Sequence, residues 1–246
     1  MSDAKSFFEK LKLYRSPVKI KIYVLSRLCL RLAKWHKAFC MDEAKDLELK
    51  KLGTGYGGWI VPVNRVKRDW ICYCGGVGED TSFDEALIGQ CGCEVWAFDP
   101  TPKAIKYVER ESKRLGPHFH FVNCGWWSSM ITLKFHLPED PTNASFSVLK
   151  LTDSDEHVEA PCKSVPQLMK ELGHDHVDLL KIDVEGAEYE VLKSVLSGEV
   201  KPHVLCVEYD MPASPLRMHG SVKGLKLAGY RLVSIDEFNY TFVRRD

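Results

Sequence analysis

Five apolar runs in the chain each end in glycine or in a side chain that carries oxygen. Asp69–Cys74 runs into Gly75, Gly76 and Gly78, Cys93–Phe98 into Asp99 and Pro100, and Phe119–Val122 into Asn123. Val177–Val184 holds Asp183 and is followed by Glu185, while Val204–Glu208 ends in its own carboxylate. If these runs are strands of one open α/β sheet, a ligand binds beyond their carboxyl ends, where strand order reverses. Loops are polar in any protein, yet five such ends in register point to a site. Carboxylates there can grip hydroxyl or cationic groups, or accept a proton.

The glycine turn discriminates between ligands. A dinucleotide fingerprint would need its third glycine where Thr81 stands, and would offer a helix start to a pyrophosphate. Glu79 and Asp80 occupy that start instead. They favour the helix dipole but repel a diphosphate. A ligand with a ribose and a cationic amino-acid portion, lacking phosphate, suits the turn better, and S-adenosylmethionine is such a ligand. Asp99 lies 23 residues beyond Gly76, close to the ~20 expected of an acid that holds a ribose diol. Its loss is therefore expected to weaken binding with little effect on folding. A GxGxxG string at Gly53, Gly55 and Gly58 runs into Trp59–Val63 rather than a helix, and is set aside as a nucleotide loop.

In Leu179–Gly186, strand alternation puts Lys181, Asp183 and Glu185 on one face. Three charges on a central strand cannot stay dry and unpaired. One reading is a structural Lys181–Asp183 pair with Glu185 opening the next helix; the reading preferred here is a site at the strand end.

The elements that must position these residues follow from the same pattern. Short apolar runs alternate with helical spacing from about residue 69, which predicts a parallel sheet with covering helices. Helices are expected over Thr81–Leu87, from Pro102 to Leu115 with Gly116 as a stop, and after Glu185, where Ala187, Val191, Leu192, Val195 and Leu196 form the buried face. Ile131–Leu137 reads as an added strand, Glu139–Glu159 as an acidic connection, and Tyr230–Ile235 with Thr241–Val243 as a closing antiparallel hairpin. The fold class is α/β, a doubly wound Rossmann-like sheet with an N-terminal helical extension.

The segment KIDVEGAEYEVLK resembles the signature of the FkbM-type S-adenosylmethionine-dependent methyltransferases, in particular their eukaryotic methyltransferase-like branch. The likeness extends to LGTGYGGW (Leu52–Trp59), CGGVGEDTSFDEAL (Cys74–Leu87), CEVWAFDPTP (Cys93–Pro102) and VLCVEYD (Val204–Asp210), and so covers roughly residues 50–246. The resemblance implies a class I methyltransferase sheet of about seven strands. It implies that Gly75, Gly76, Gly78 and Asp99 hold the cofactor and that Asp183 and Glu185 face its methyl group; Glu79, Pro100 and Asn123, at the same strand ends, are further candidates for cofactor contact. Cys74 stands where many such enzymes place an acid. Methyl transfer mainly aligns nucleophile, methyl and leaving sulfur, with a base taking a proton from a hydroxyl or amine. Asp183 or Glu185 is expected in that role, with Glu208 helping to hold a small-molecule, sugar or lipid acceptor. Asp183, Glu185, Glu208 and Asp210 could instead hold Mg²⁺ or Ca²⁺, although no metal is expected. Trp126 and Trp127 are candidates for an acceptor wall or for core. The Cys72/Cys74 and Cys91/Cys93 pairs are spaced too closely for zinc. His118/His120 and His174/His176 lack a matching ligand set.

The 246 residues carry 34 basic and 34 acidic side chains, but not evenly. Residues 1–40 hold ten Lys and Arg against two acids, leaving the arm at +8 and the rest of the chain at −8. Residues 1–45 read as a basic amphipathic helical extension, and 46–246 as the methyltransferase domain. Ile22, Leu25, Leu28, Leu32 and Trp35 recur as one helix face, expected to dock on the domain or to meet an anionic membrane. No apolar run reaches the ~18–20 residues of a spanning helix. No signal peptide is seen, and nine cysteines fit reduced thiols, so a cytoplasmic location is expected. No nucleic-acid partner is expected. Two rival readings are a non-catalytic S-adenosylmethionine-binding module acting through its arm, and a nicotinamide-dependent oxidoreductase, which Thr81 and the two carboxylates disfavour.

Overall fold

The computed structural model describes residues 17–138, 146–151, 154–209 and 214–245. Along the chain lie helix α1 (Pro17–Phe39), a hairpin of β1 (Leu49–Leu52) and β2 (Trp59–Pro62), then β3 (Ile71–Gly75), α2 (Ser82–Cys91), β4 (Glu94–Phe98), α3 (Pro102–Leu115) and β5 (Phe119–Val122). Next come β6 (Gly125–Trp126), β7 (Ile131–His136), β8 (His157–Lys163) and α4 (Val165–Leu172). The chain then forms β9 (Leu179–Ile182), α5 (Glu188–Leu196), β10 (Val204–Glu208), α6 (Pro215–Leu227), β11 (Tyr230–Asp236) and β12 (Asn239–Arg244).

Seven strands form one sheet in the order β5-β4-β3-β9-β10-β12-β11, parallel except for β12, which runs antiparallel to both neighbours. The chain steps outward from β3 to β5, then returns to lay β9 against the other side of β3. The reversal falls between β3 and β9, so their carboxyl ends frame the crevice such sheets use. Strand alternation sorts the residues between two layers. Tyr73, Leu180, Ile182, Leu205 and Val207 face α1, α4, α5 and α6. Cys72, Cys74, Leu179, Val204 and Cys206 face α2, α3 and the β1–β2 hairpin. With both faces covered, near-continuous apolar strands are what burial demands.

Capping sets the helix starts. Thr101 accepts from Ala104 N–H ahead of Pro102, and Ser214 accepts from Arg217 N–H ahead of Pro215. Ser164 and Gln167 form a reciprocal capping box at α4.

The structure differs from expectation in two places. His157–Lys163 is a strand paired with β7, so the last residues of the expected acidic connection, His157–Glu159, belong to a strand; Pro161 within the run disguises it. The remainder of that connection lies partly outside the described residues. Gly53–Gly58, set aside above as a nucleotide loop, is the tip of the β1–β2 hairpin. The docked face of α1 is also rotated from the expected one: Cys29, Ala33 and His36 are buried, whereas Leu28 and Trp35 are exposed. The cysteine and histidine were not read as core positions, and the larger apolar residues drew the face toward themselves.

Candidate active site

Strand β3 ends in a turn that only glycine can make. Gly76 has φ +81° and Gly78 φ +54°, a region that costs L-residues with a Cβ. At Gly76 a Cβ would also stand 1.8 Å from the Asp183 carbonyl oxygen. The turn is held from β4. Asp99 Oδ2 accepts the N–H groups of Val77 (3.0 Å) and Gly78 (2.9 Å). Its Oδ1 accepts the N–H (2.8 Å) and hydroxyl (2.7 Å) of Thr101. Both oxygens of this buried carboxylate are thus engaged in shaping the turn. These four bonds argue against the expectation that loss of Asp99 has little effect on folding.

Lys181 crosses from β9 beneath the same turn. Its Nζ donates to the carbonyls of Gly75 (3.2 Å) and Gly76 (2.9 Å) and pairs with Asp183 Oδ2 at 2.9 Å. The Lys181–Asp183 pair therefore exists, and it belongs to the site's framework. Burial works against the lysine's charge, but Asp183 and Asp84 outweigh it and hold the ammonium protonated. Burial likewise opposes ionisation of Asp183, yet Lys181 and a hydrogen bond with Glu208 keep its carboxyl below the usual range. Asp84, buried on α2, shows the converse: burial pushes it up to about 6 despite Lys181.

Beyond Asp183 the strand alternation stops. Glu185 takes a left-handed conformation, φ +50°, which costs a residue with a Cβ on the order of 1 kcal/mol. The segment after residue 145 fixes it there, since Ser147 Oγ (2.7 Å) and Val148 N–H (3.2 Å) both donate to the Glu185 carbonyl. Strain at such a point signals function when the surroundings enforce it.

Glu188, 2% exposed, accepts from Gly186 N–H at 2.9 Å. Burial raises its pKa from 4.5 to about 7, with Glu185 and Asp183 adding to the effect. The folded state therefore holds this proton more tightly than the unfolded chain does. The group's contribution to stability falls as pH rises from about 4.5 to 7, then levels off. Glu188→Gln is expected to stabilise the protein by on the order of 1–2 kcal/mol at pH 8 and by little at pH 4.5. Urea unfolding at the two pH values checks this; an equal effect at both would place the raised pKa elsewhere.

Beside these groups lies an open cleft, whose space together with the solvent at its mouth is about 860 Å³. Gly76, Gly78, Glu79, Asp99, Pro100, Asp183 and Glu185 line it, as does Trp126. Gly75 does not line it but lies against Trp126, whose ring a Cβ there would meet at 2.6 Å. Glu208 is absent from the wall and meets Asp183 instead. Asn123 is exposed and outside the cleft, because the chain turns away after β5 to start the small sheet. Trp127 packs on the small sheet's own cluster.

Sequence reasoning missed Tyr56, Gly57, Phe83, Asp84, Phe135 and Phe146, all of which line the cleft. The hairpin tip reaches it because Thr54 Oγ1 donates to Asp80 Oδ2 at 2.7 Å, while Asp80 Oδ1 accepts Ser82 N–H at 2.8 Å at the start of α2. An acid on the inward face of α2's first turn, between Phe83 and Leu87, was the readable signal for Asp84. Among the described residues, no group of three or more His, Cys, Asp or Glu is arranged to hold a metal ion; Asp210 lies outside the described residues.

A seven-stranded sheet of this order, with a glycine turn and acidic strand ends at its reversal, is a Rossmann-like methyltransferase fold. Residues 73–232 match the model of the methyltransferase FkbM domain, and the chain belongs to that family. It is 27% identical over 128 residues to a probable methyltransferase-like protein 24 of Homo sapiens, covering 52% of this chain and 28% of that protein. The counterpart in Rattus norvegicus is 26% identical over 128 residues, covering 52% of this chain and 29% of its own length. The match thus spans less than a third of either relative's length. A solved structure of methyltransferase FkbM from Methylobacillus flagellatus KT superposes with a TM-score of 0.51 at 15% identity, covering 99% of this chain and 59% of that one. That likeness shows the fold.

Proposed function

We propose that this chain is an S-adenosylmethionine-dependent methyltransferase that methylates a hydroxyl or amine of a small-molecule, sugar or lipid acceptor. One observation carries the reading: the cleft beside the glycine turn holds Glu79, Asp80, Asp84, Asp99, Asp183 and Glu185 against a single lysine, already paired with Asp183. Such a donor set repels a diphosphate and suits a sulfonium and an ammonium. Phe83 and Phe98 supply apolar walls for a planar base.

Gly76, Gly78, Glu79 and Pro100 would hold the cofactor, on a turn that Asp99 shapes from behind. Bound there, it supplies an electrophilic methyl group. Glu185 stands ready to take the acceptor's proton, and its fixed backbone aims it. Asp183, anchored to Lys181 and Glu208, contributes fixed negative charge and positions the turn. Phe135, Phe146 and Trp126 exclude water from the reacting face.

Titration calorimetry with S-adenosylmethionine and with NAD⁺ tests the reading. Binding of the first alone is expected, and binding of NAD⁺ alone would overturn it. With methyl-labelled cofactor and an extract of metabolites and lipids, Glu185→Gln is expected to lower turnover about 100-fold or more while changing cofactor affinity little. Full turnover in that variant would remove Glu185 from the chemistry, and cofactor binding without transfer to any acceptor would favour a binding module.

A further inference from the structure

Helix α1 presents two faces, and the domain covers one. Cys29, Ala33 and His36 turn inward. The first two join the core, and His36 meets Tyr240 and His219, each at 3.0 Å. At 100° per residue, Ile20 lies opposite these three and Leu28, Trp35 and Phe39 lie about 90–130° around from them; all four are exposed, Phe39 at 73%, and Trp35 touches the domain only through an edge contact with His219. Leu216, 84% exposed, stands one turn before His219 on α6. Lys21, Arg27, Arg31, Lys34 and Lys37 are exposed on the same helix, which contains no acidic residue.

The register of α1 sets where this face points. His36 meets His219, and Lys226 Nζ reaches the Cys40 carbonyl at 2.6 Å, so α1 runs parallel to α6. Helix α6 starts beyond the carboxyl end of β10. The part of α1 ahead of Cys29, where the helix enters the core, therefore projects past the carboxyl end of the sheet, the end that holds the cleft. From Ile20 to Cys29 the projection is about 14 Å.

We propose that this outer face of α1 docks on the surface of an anionic lipid bilayer. Tryptophan and phenylalanine favour the headgroup boundary. The five basic side chains are drawn to a negative surface and can extend their stems along it. Nothing acidic on the helix opposes the contact. Among the described residues no helix is long and apolar enough to cross a membrane, so the contact is peripheral, with the helix in the plane of the interface.

Sedimentation of the full chain with phosphatidylglycerol/phosphatidylcholine vesicles tests this. Binding is expected in 0.05 M salt, at a trial concentration of about that size, and loss of most of it once the Debye length falls to about 3 Å near 1 M. Pure phosphatidylcholine should retain far less. Each basic contact contributes about fivefold in partitioning, so Arg27→Gln/Arg31→Gln should bind about 25-fold more weakly. Leu28→Ser/Phe39→Ser should also lose binding while its thermal midpoint stays unchanged, since both side chains are exposed. Brominated lipid should quench tryptophan emission in the full chain, and less so in Trp35→Phe. No sedimentation with anionic vesicles at low salt overturns the proposal, as does undiminished binding by both double variants. Binding to an acidic polypeptide but not to vesicles assigns the face to a protein and overturns it equally.

Discussion

Replacing Asp99 by alanine is expected to dismantle the glycine turn as well as abolish ligand binding. The carboxylate satisfies the N–H groups of Val77 and Gly78 and both donors of Thr101. Alanine would leave these donors without their partner in a place where Asp99 itself is 6% exposed. Buried donors left unmet cost about 1–3 kcal/mol each. Since the four are coupled through one side chain, the total should be on the order of 3–5 kcal/mol. For a domain of this size that corresponds to a fall in Tm of about 6–20 °C. Asp99→Asn keeps one acceptor oxygen and should fall in between. Calorimetric unfolding of the two variants decides it: an unchanged Tm in Asp99→Ala would mean that the acid serves the ligand alone.

The second large effect belongs to Lys181. Methionine in its place fills similar volume but removes the partner of Asp183, the bonds to two glycine-turn carbonyls, and the cation nearest Asp84. Breaking a buried pair from one side costs about 3–5 kcal/mol, because the remaining charge stays behind. The loss should depend on pH. Asp84 already titrates at about 6 in the folded protein against 3.8 for an ordinary aspartate. An acid with a raised folded pKa takes up its proton on folding, so its penalty grows as pH rises through that window. Without Lys181 the Asp84 pKa should rise further. Lys181→Met is therefore expected to be least stable near pH 8 and to recover part of its loss near pH 5. Denaturant titrations at both values measure this, and a pH-independent loss would show that packing, not charge, dominates.

How much of this could be read from the chain differs by residue. Strands at Val204–Glu208 and Phe119–Val122 and the helix from Pro102 to Leu115 fall where apolar runs, Pro102 and Gly116 place them. Buried parallel strands leave an unmistakable apolar signature, and the closing hairpin follows from its alternation. The cleft's floor was legible too, since strand ends carry it: Gly76, Gly78, Asp99, Asp183 and Glu185 all line it. Its walls were not. Tyr56 arrives on a hairpin some twenty residues ahead of the glycine turn, and Phe135 and Phe146 come from the small sheet and the segment beside it. Nothing local in those stretches says which way they fold over the crevice. Asn123 failed for the opposite reason, because its position after β5 matched the pattern while the chain bent away. What Asp99 does was hidden by the same limit, as spacing locates a carboxylate but cannot show which donors its oxygens meet.

The Lys181–Gly76 contact joins residues 105 positions apart, and that separation governs when the cleft can form. Only one side of the crevice, the glycine turn with Asp99 and Pro100, lies in the stretch from β3 to β5, and the other side arrives with β9. Closing so long a loop must precede any reward from the contacts it brings together. During synthesis, the glycine turn therefore emerges well before the lysine that fastens it, and the crevice is completed late in folding. A nascent chain halted ahead of Lys181 should contain the turn's sequence yet present no cavity for a ligand to occupy.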